Sequence, residues 1–75
     1  MTNRKKSIYS DDYRSIIKKL VGLRRQAGLT QKTIAQQLKV SQSYISKIEN
    51  CLIRIDLIQL KEFAEIYNVD LQEII

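Results

Sequence analysis

The chain contains no proline and only two glycines among its 75 residues, so very little in it interrupts a helix. Apolar residues recur along it at intervals of three and four, which is the spacing of one face of an α-helix. In the first such segment the apolar face consists of Tyr13, Ile16, Ile17, Leu20, Leu23 and Ala27. The sequence therefore predicts an all-α fold.

Residues with capping side chains divide the chain into five predicted helices. The first begins near Asp11 or Asp12 and ends at Gly28, because glycine adopts the left-handed backbone that follows many helices. Asn68 can adopt the same backbone at the end of the fourth helix. The other four each follow a residue whose side-chain oxygen can accept a backbone N–H: Thr30, Ser41, Asp56 and Asp70. Their predicted ranges are 31–38, 42 to about 50, 57–67 and 71–75. The predicted inward residues of the second, third and fourth helices are Ile34, Ala35 and Leu38, then Ile45 and Ile48, then Leu57, Leu60, Phe63, Ala64 and Tyr67.

The composition excludes several classes of functional site. The chain has no histidine and one cysteine, Cys51, so it contains neither a zinc-ligand set nor an internal disulfide. No apolar run approaches the roughly 20 residues that span a bilayer. No catalytic arrangement of side chains is recognisable, and no cofactor, metal or small-molecule ligand is predicted. We therefore expect a soluble, cytoplasmic protein that does not associate with membranes and that binds rather than catalyses.

The charge is unevenly distributed along the chain. Residues 1–50 carry eleven Lys and Arg against three Asp and Glu, whereas residues 51–75 carry two against five. The first segment has a net charge of +8 and the second of −3, within a total of +5. Such asymmetry favours one side that faces a polyanion and another that faces away from it. A solvated surface of uneven charge explains the same numbers and stays open at this point.

Two segments are expected from these patterns. Residues 10–75 are predicted to form a single domain, and residues 1–9 a flexible basic arm. The cations of the arm, Arg4, Lys5 and Lys6, suit the backbone of a nucleic acid, although a solubilising tail explains them more simply.

The predicted second and third helices are joined by a three-residue turn, a geometry that holds the later helix out from the body of a domain. Because Ile45 and Ile48 face inward, the polar side chains of that helix project outward. Glutamine can pair with the edge of adenine, serine and lysine can bind bases or phosphates, and tyrosine offers a flat ring with a hydroxyl. The outward residues are Gln42, Ser43, Tyr44, Ser46 and Lys47. The N-terminal amides of both helices are also natural partners for phosphate oxygens.

Residues 23–50, LRRQAGLTQKTIAQQLKVSQSYISKIEN, resemble the lambda-repressor-like, Cro/CI-type helix-turn-helix family. The following RIDLIQLKEFAEIYNV resembles the fourth helix of that family, and the similarity covers about residues 13–75. The resemblance implies a compact five-helix domain that binds double-stranded DNA sequence-specifically. It further implies a transcriptional regulator, by preference a repressor, that acts as a two-fold homodimer on a pseudo-palindromic operator.

The resemblance assigns roles to individual residues. Base-reading roles fall to Gln42, Ser43, Tyr44, Ser46 and Lys47. For Tyr44 a half-buried ring that closes the turn is an equal alternative. Contacts with phosphate are expected from Thr30, Gln31, Lys39, Asn50 and Arg54, and Gln31 is also expected to brace Gln42.

Arg24 and Glu49 match the positions of an ion pair that joins the first and third helices in many members of the family. The pair is expected to position the DNA-reading helix rather than to read bases. Loss of one partner of a buried pair costs about 3–5 kcal/mol.

Several positions depart from the pattern of the family. Lys39 and Cys51 stand where glycine is common. At Lys39 either a left-handed backbone costs about 1 kcal/mol or the turn has a different shape. Cys51 is interpreted as apolar filler rather than as a redox group. Leu52 and Ile53 replace residues that are usually polar, and they either pack under the fourth helix or form a dimer contact, which is the preferred interpretation. The predicted dimer residues are Leu52, Ile53, Ile58, Ile66, Ile74 and Ile75.

A second class of function stays open from the sequence. The same apolar residues suit a protein-interaction module, such as an antitoxin that masks a partner protein and binds DNA only secondarily.

Overall fold

The computed structural model describes residues 10–75, and it consists of helices throughout that range without a strand. The elements are α1 (Asp11–Gln26), α2 (Gln31–Leu38), α3 (Gln42–Glu49), α4 (Leu57–Tyr67) and a 3-10 helix (Leu71–Glu73). The predicted all-α class is therefore confirmed, with four α-helices instead of five. The basic arm predicted for residues 1–9 lies outside the described residues. None of the helices in residues 10–75 is long and apolar enough to cross a membrane.

The predicted fifth α-helix is wrong, because the chain after Asp70 forms only one tight turn. The backbone N–H groups of Ile74 and Ile75 both donate to the carbonyl oxygen of Leu71, at 3.0 and 3.1 Å. The Glu73 carboxylate accepts from the Asp70 N–H at 3.2 Å, which closes the start of the turn. A segment this short forms too few successive hydrogen bonds to offset the cost of starting an α-helix, so the 3-10 geometry is favoured.

Local hydrogen bonds fix the start of each α-helix. In all four cases the side chain of the capping residue accepts from the backbone N–H three residues later, at 2.8–3.1 Å. The caps are Ser10, Thr30, Ser41 and Asp56. The last three are the predicted caps, and the predicted start of α1 at Asp11 is also confirmed. Two acidic residues in the first turn of α1, Asp11 and Asp12, add to its stability through the helix dipole.

Among residues 10–75, three residues other than glycine adopt a left-handed backbone: Lys39, Cys51 and Asn68, with φ of 60°, 59° and 57°. Asn68 ends α4 in this conformation, as predicted, and asparagine tolerates it well. Lys39 ends α2 in the same way, so the turn of the helix-turn-helix keeps its usual shape with an unfavourable residue in it. Cys51 does the same directly after α3.

Replacing Lys39 by glycine is expected to raise the free energy of unfolding by about 0.5–1 kcal/mol. Glycine removes the left-handed penalty of about 1–2 kcal/mol, and part of that gain is offset by the greater freedom of glycine in the unfolded chain. Urea denaturation followed by circular dichroism measures the change. As a control, Gln37→Gly within α2 should lower stability by about 1 kcal/mol. A destabilised Lys39→Gly variant would show that the lysine side chain stabilises the fold by more than its left-handed backbone destabilises it.

All four α-helices and the 3-10 segment contribute to one hydrophobic core. Its buried side chains are Ile17, Leu20, Ile34, Ala35, Ile45, Ile48, Leu60, Phe63, Ala64, Tyr67 and Ile74. Two predicted core residues are exposed instead, because both stand at helix ends: Ala27 follows the last residue of α1, and Leu57 is the first residue of α4. Periodicity defines the face of a helix but not where its neighbours stop covering it.

The structure corrects one of the predicted dimer residues, Ile74, whereas Ile53 and Ile66 keep partly exposed side chains and stay predictions. Ile74 is fully buried, because the 3-10 helix folds back onto α4 and inserts this side chain into the core. Ile53 and Ile66 are half-buried and pack against the same core. The exposed members of the predicted set are Leu52, Ile58 and Ile75.

Candidate nucleic-acid interface

Helices α2 and α3 present a polar surface because their other faces are anchored in the core. Ile45 and Ile48 of α3 are almost completely buried, as are Ile34 and Ala35 of α2. The side chains on the opposite side of α3 that remain exposed are Gln42, Ser43 and Lys47. The burial of one face therefore determines which side chains of α3 are most accessible to a ligand.

The exposed charge of this region is entirely positive. Between Gly28 and Arg54 the sequence contains one acidic residue, Glu49, and the structure pairs its carboxylate with Arg24. The four cations of the same stretch, Lys32, Lys39, Lys47 and Arg54, are all exposed. The exposed acidic residues Glu62, Glu65, Asp70 and Glu73 belong to α4 and the segment after it. The exposed cations of residues 28–54 therefore favour contact between this segment and a polyanion.

An ion pair joins α1 to the end of α3. Arg24 Nε lies 2.7 Å from Glu49 Oε2 and Arg24 Nη2 lies 3.0 Å from Glu49 Oε1, which is a two-pronged arrangement. Only 12% of the Arg24 side chain and 8% of the Glu49 side chain are exposed. The hydrogen bond to Glu49 raises the pKa of Arg24, because it stabilises the charged guanidinium. Arg24 Nη1 also donates to the carbonyl oxygen of Leu29, which ties the turn before α2 to the same cluster.

Gln31 belongs to this cluster rather than to the surface predicted for it. Its Nε2 donates to Glu49 Oε1 at 2.9 Å, and the residue is half-buried. The structure thus corrects the predicted brace of Gln42, because the Gln31 amide hydrogen-bonds at the opposite end of α3. Glu49 receives hydrogen bonds from α1 and from the first residue of α2, so three helices meet at one carboxylate.

Asn50 and Ser46 interact with each other at the C-terminal end of α3. Asn50 Nδ2 donates to the carbonyl oxygen of Ser46 at 2.8 Å and to its hydroxyl at 3.3 Å. Ser46 is half-buried and Asn50 is exposed. The Asn50 side chain is thus a second donor to a carbonyl oxygen that already accepts the Asn50 backbone N–H at 3.0 Å.

A family model described as helix-turn-helix matches residues 22–74, which is more than half of the chain. The chain belongs to the lambda-repressor-like helix-turn-helix family. No curated protein and no solved structure matches it. Members of this family are DNA-binding regulators, and the chain is a DNA-binding helix-turn-helix protein. The pattern from GLTQ to SKIEN, residues 28–50, carried this assignment in the sequence.

Tyr44 of the helix-turn-helix is half-buried, and its ring packs against the core. Its hydroxyl accepts a hydrogen bond of 2.7 Å from Nε2 of Gln59 on α4. Nothing in the sequence indicated Gln59 as a partner, because the two residues come together only when α3 and α4 pack. Gln59 is the one polar residue in a first turn of α4 that is otherwise apolar, and this is the one signal that could have drawn attention to it.

The loop that follows α3 is held in place by Tyr13 of α1. The Tyr13 hydroxyl accepts from the backbone N–H of Ile55 at 3.0 Å and lies 3.5 Å from the carbonyl oxygen of Ile53. Burial raises the pKa of Tyr13, so this hydroxyl stays protonated. The loop therefore leaves Arg54 and Leu52 exposed in defined positions beside the helix-turn-helix.

Tyr67 carries a buried hydroxyl that has no hydrogen-bond partner within the described residues. Burial raises the pKa of Tyr67 strongly, the charge of Glu49 adds to this effect, and Arg24 opposes it. The hydroxyl thus lies in the field of the ion pair that joins α1 to α3, and it lowers stability because burial of a polar group without a partner is unfavourable.

Replacing Tyr67 by phenylalanine is expected to raise the free energy of unfolding at pH 7 by about 1 kcal/mol, because it removes this unpartnered group. The variant should also lose less stability above pH 10. When Tyr67 is present, its hydroxyl ionises at a lower pH in the unfolded chain than in the folded one. The free energy of unfolding therefore falls as the pH rises from about 10 through the raised folded pKa of Tyr67. Urea denaturation at pH 7 and pH 11 measures both effects. The variant should still lose some stability at pH 11, because it retains Tyr13, whose pKa is also raised. Equal alkaline losses in the two proteins would contradict the prediction.

Proposed function

We propose that the chain binds double-stranded DNA sequence-specifically, with α3 in the major groove, and represses transcription as a two-fold homodimer. The observation that carries this proposal is the exposure of Gln42, Ser43 and Lys47 along a helix whose other face is buried and whose end is fixed by the Arg24–Glu49 pair. Glutamine and lysine are side chains that recognise adenine and guanine edges in the major groove.

Phosphate contacts are proposed on either side of α3. Lys39 in the turn and Arg54 in the following loop are exposed cations. The N-terminus of α2, capped by Thr30, offers backbone N–H groups of its first turn, which suit phosphate oxygens. Asn50 is exposed at the other end of α3. Contacts of this kind set the register of α3 on the duplex without reading its sequence.

The proposed homodimer uses an apolar patch that we define as Leu52, Leu57 and Ile58. Their exposed fractions are 67%, 59% and 64%, in a loop and a first helical turn that directly follow one another. A second copy could cover the patch by two-fold symmetry, so that the same residues meet on both sides. The two α3 helices would then enter successive major grooves about 34 Å apart. Ile75, also exposed, lies beyond the other end of α4 and is not part of the patch.

Selection of bound sites from a random duplex pool at two salt concentrations tests sequence-specific binding. A palindromic consensus, with retention that falls steeply as salt increases, is the expected result. Equal retention of all sequences would contradict sequence-specific recognition, and absence of retention would contradict DNA binding as the main function.

The Gln42→Ala variant is expected to bind the selected site about tenfold or more weakly and to lose base preference at one position of each half-site. Loss of a two-pronged contact with adenine has this effect. Fluorescence anisotropy against the consensus and single-base variants measures it. Gln72→Ala is the matched control, since Gln72 is an exposed glutamine in the 3-10 helix. If both variants bind alike, Gln42 does not read bases.

The apolar patch also favours a second candidate, a protein-interaction module that masks another protein and binds DNA secondarily. A Leu52→Asp variant distinguishes the two. Loss of cooperative DNA binding supports the homodimeric regulator, whereas loss of a co-purifying protein with intact DNA binding supports the interaction module.

A further inference from the structure

We infer that Gln59 is a positioning residue for DNA recognition, because it holds the Tyr44 hydroxyl so that this group meets DNA as a hydrogen-bond donor. The inference rests on the proposed function and extends it to a residue outside the helix-turn-helix. Gln59 is the third residue of α4, and Tyr44 is the third residue of α3.

Both residues are anchored by the caps of their own helices. The Tyr44 N–H donates to the Ser41 hydroxyl at 3.1 Å, and the Gln59 N–H donates to the Asp56 carboxylate at 2.8 Å. The side-chain bond of 2.7 Å between Gln59 and Tyr44 therefore joins two first turns whose backbones are already fixed. Because both backbones are fixed and one hydrogen bond holds the hydroxyl, this group loses little freedom when a further partner binds.

The chemistry of the contact determines what the hydroxyl can do next. A phenol has one proton to donate and lone pairs that accept. Gln59 Nε2 donates to the Tyr44 oxygen, so the phenolic proton is left for another acceptor. Tyr44 follows the exposed Ser43 and precedes the exposed Lys47 by three residues, or about one helical turn, so it borders the surface proposed to meet DNA.

The acceptors that DNA offers there are phosphate oxygens and the major-groove atoms N7 and O6 of guanine, N7 of adenine and O4 of thymine. All of them suit a donating hydroxyl. The Gln59 contact thus assigns Tyr44 a donor role, and Gln59 acts through Tyr44 without touching DNA.

A double-mutant cycle of Tyr44→Phe and Gln59→Leu tests the inference. Phenylalanine keeps the packed ring, and leucine replaces the polar Gln59 side chain by an apolar one of similar size, so both variants should fold, which thermal melting checks. Tyr44→Phe is expected to weaken binding to the selected site about fivefold. Gln59→Leu is expected to weaken it about threefold in the native background and to have no effect in the Tyr44→Phe background.

Single-base variants of the selected site separate the two kinds of acceptor. If the hydroxyl donates to a base, both substitutions relax the preference at the same position; if it donates to a phosphate, both weaken all sequences equally. Gln72→Leu is the matched control for a glutamine-to-leucine change away from this contact.

Two results would overturn the inference while leaving the proposed function intact. In the first, the native protein selects a consensus site and the Tyr44→Phe variant binds that site with native affinity. The other is a Gln59→Leu effect of equal size in both backgrounds, which would show that Gln59 does not act through Tyr44. A native protein that selects no sequence would instead contradict the proposed function itself, and this inference with it.

Discussion

Replacing Glu49 by alanine is expected to lower the free energy of unfolding by about 3–5 kcal/mol and to weaken DNA binding with it. The Glu49 carboxylate receives Arg24 through two hydrogen bonds and Gln31 through a third, and its side chain is more than nine-tenths buried. The substitution leaves the Arg24 guanidinium largely buried without its partner, which is the costly part of breaking such a pair. In a domain of this size, a loss of this magnitude in the free energy of unfolding is a large fraction of the total.

Thermal melting, and urea denaturation where the variant still folds, measure the effect on stability, and anisotropy measures the effect on DNA affinity. Glu62→Ala on the exposed side of α4 is the matched control and should stay within about 0.5 kcal/mol of the native protein. Replacing both partners by apolar residues, Arg24→Met with Glu49→Leu, should recover much of the stability, since an apolar pair of similar size can substitute for a buried ion pair. If Glu49→Ala melts at the native temperature, the pair does not stabilise the fold.

The helix starts could be predicted from the sequence because each depends on residues within a single turn. Thr30, Ser41 and Asp56 cap the helices that their side chains predicted, with bonds that span three residues. The left-handed Asn68 is equally local. The end of the chain was harder, because whether residues 71–75 form an α-helix or a single turn depends on how Ile74 packs against the rest of the core.

The polar contacts between helices could not be predicted from local pattern. The Gln31–Glu49 and Tyr44–Gln59 bonds join residues 18 and 15 positions apart, and each requires the final packing of two helices. Glutamines and tyrosines on helix surfaces have many possible partners, so their types alone do not select one. The Arg24–Glu49 contact was expected only from the family resemblance, which supplies spatial information that periodicity does not contain.

This distinction explains why the predicted surface residues divide as they do. Gln42, Ser43 and Lys47 are exposed because α3 buries its isoleucines, and helical periodicity is enough to predict that. Gln31 was assigned to the surface by its position in the motif, yet its side chain turns toward Glu49. The positioning of the candidate site is therefore a property of the packed helices, whereas its chemistry is a property of the sequence.

Replacing Ile58 by glutamate is expected to convert the proposed homodimer into a monomer and to weaken binding to an operator with two half-sites by about 10²–10⁴-fold. Once one half of a dimer is bound, the other binds at a high effective concentration, and a monomer loses this advantage entirely. Ile58 is 64% exposed beside the similarly exposed Leu57, so the substitution adds a charge to the apolar patch without disturbing the core. Analytical ultracentrifugation measures the oligomeric state, and anisotropy with one-half-site and two-half-site duplexes measures the affinities.

Affinity for a duplex with one half-site distinguishes loss of the dimer from damage to the DNA-binding residues of α3. Ile58 adjoins Gln59, so a perturbed Tyr44 contact would weaken binding to one half-site, whereas a lost dimer would leave that affinity nearly unchanged. Gln72→Glu introduces the same change of charge in the 3-10 helix and should bind both duplexes as the native protein does. If Ile58→Glu still sediments as a dimer, the interface lies elsewhere on the molecule, and the exposed Ile75 is the next residue to substitute.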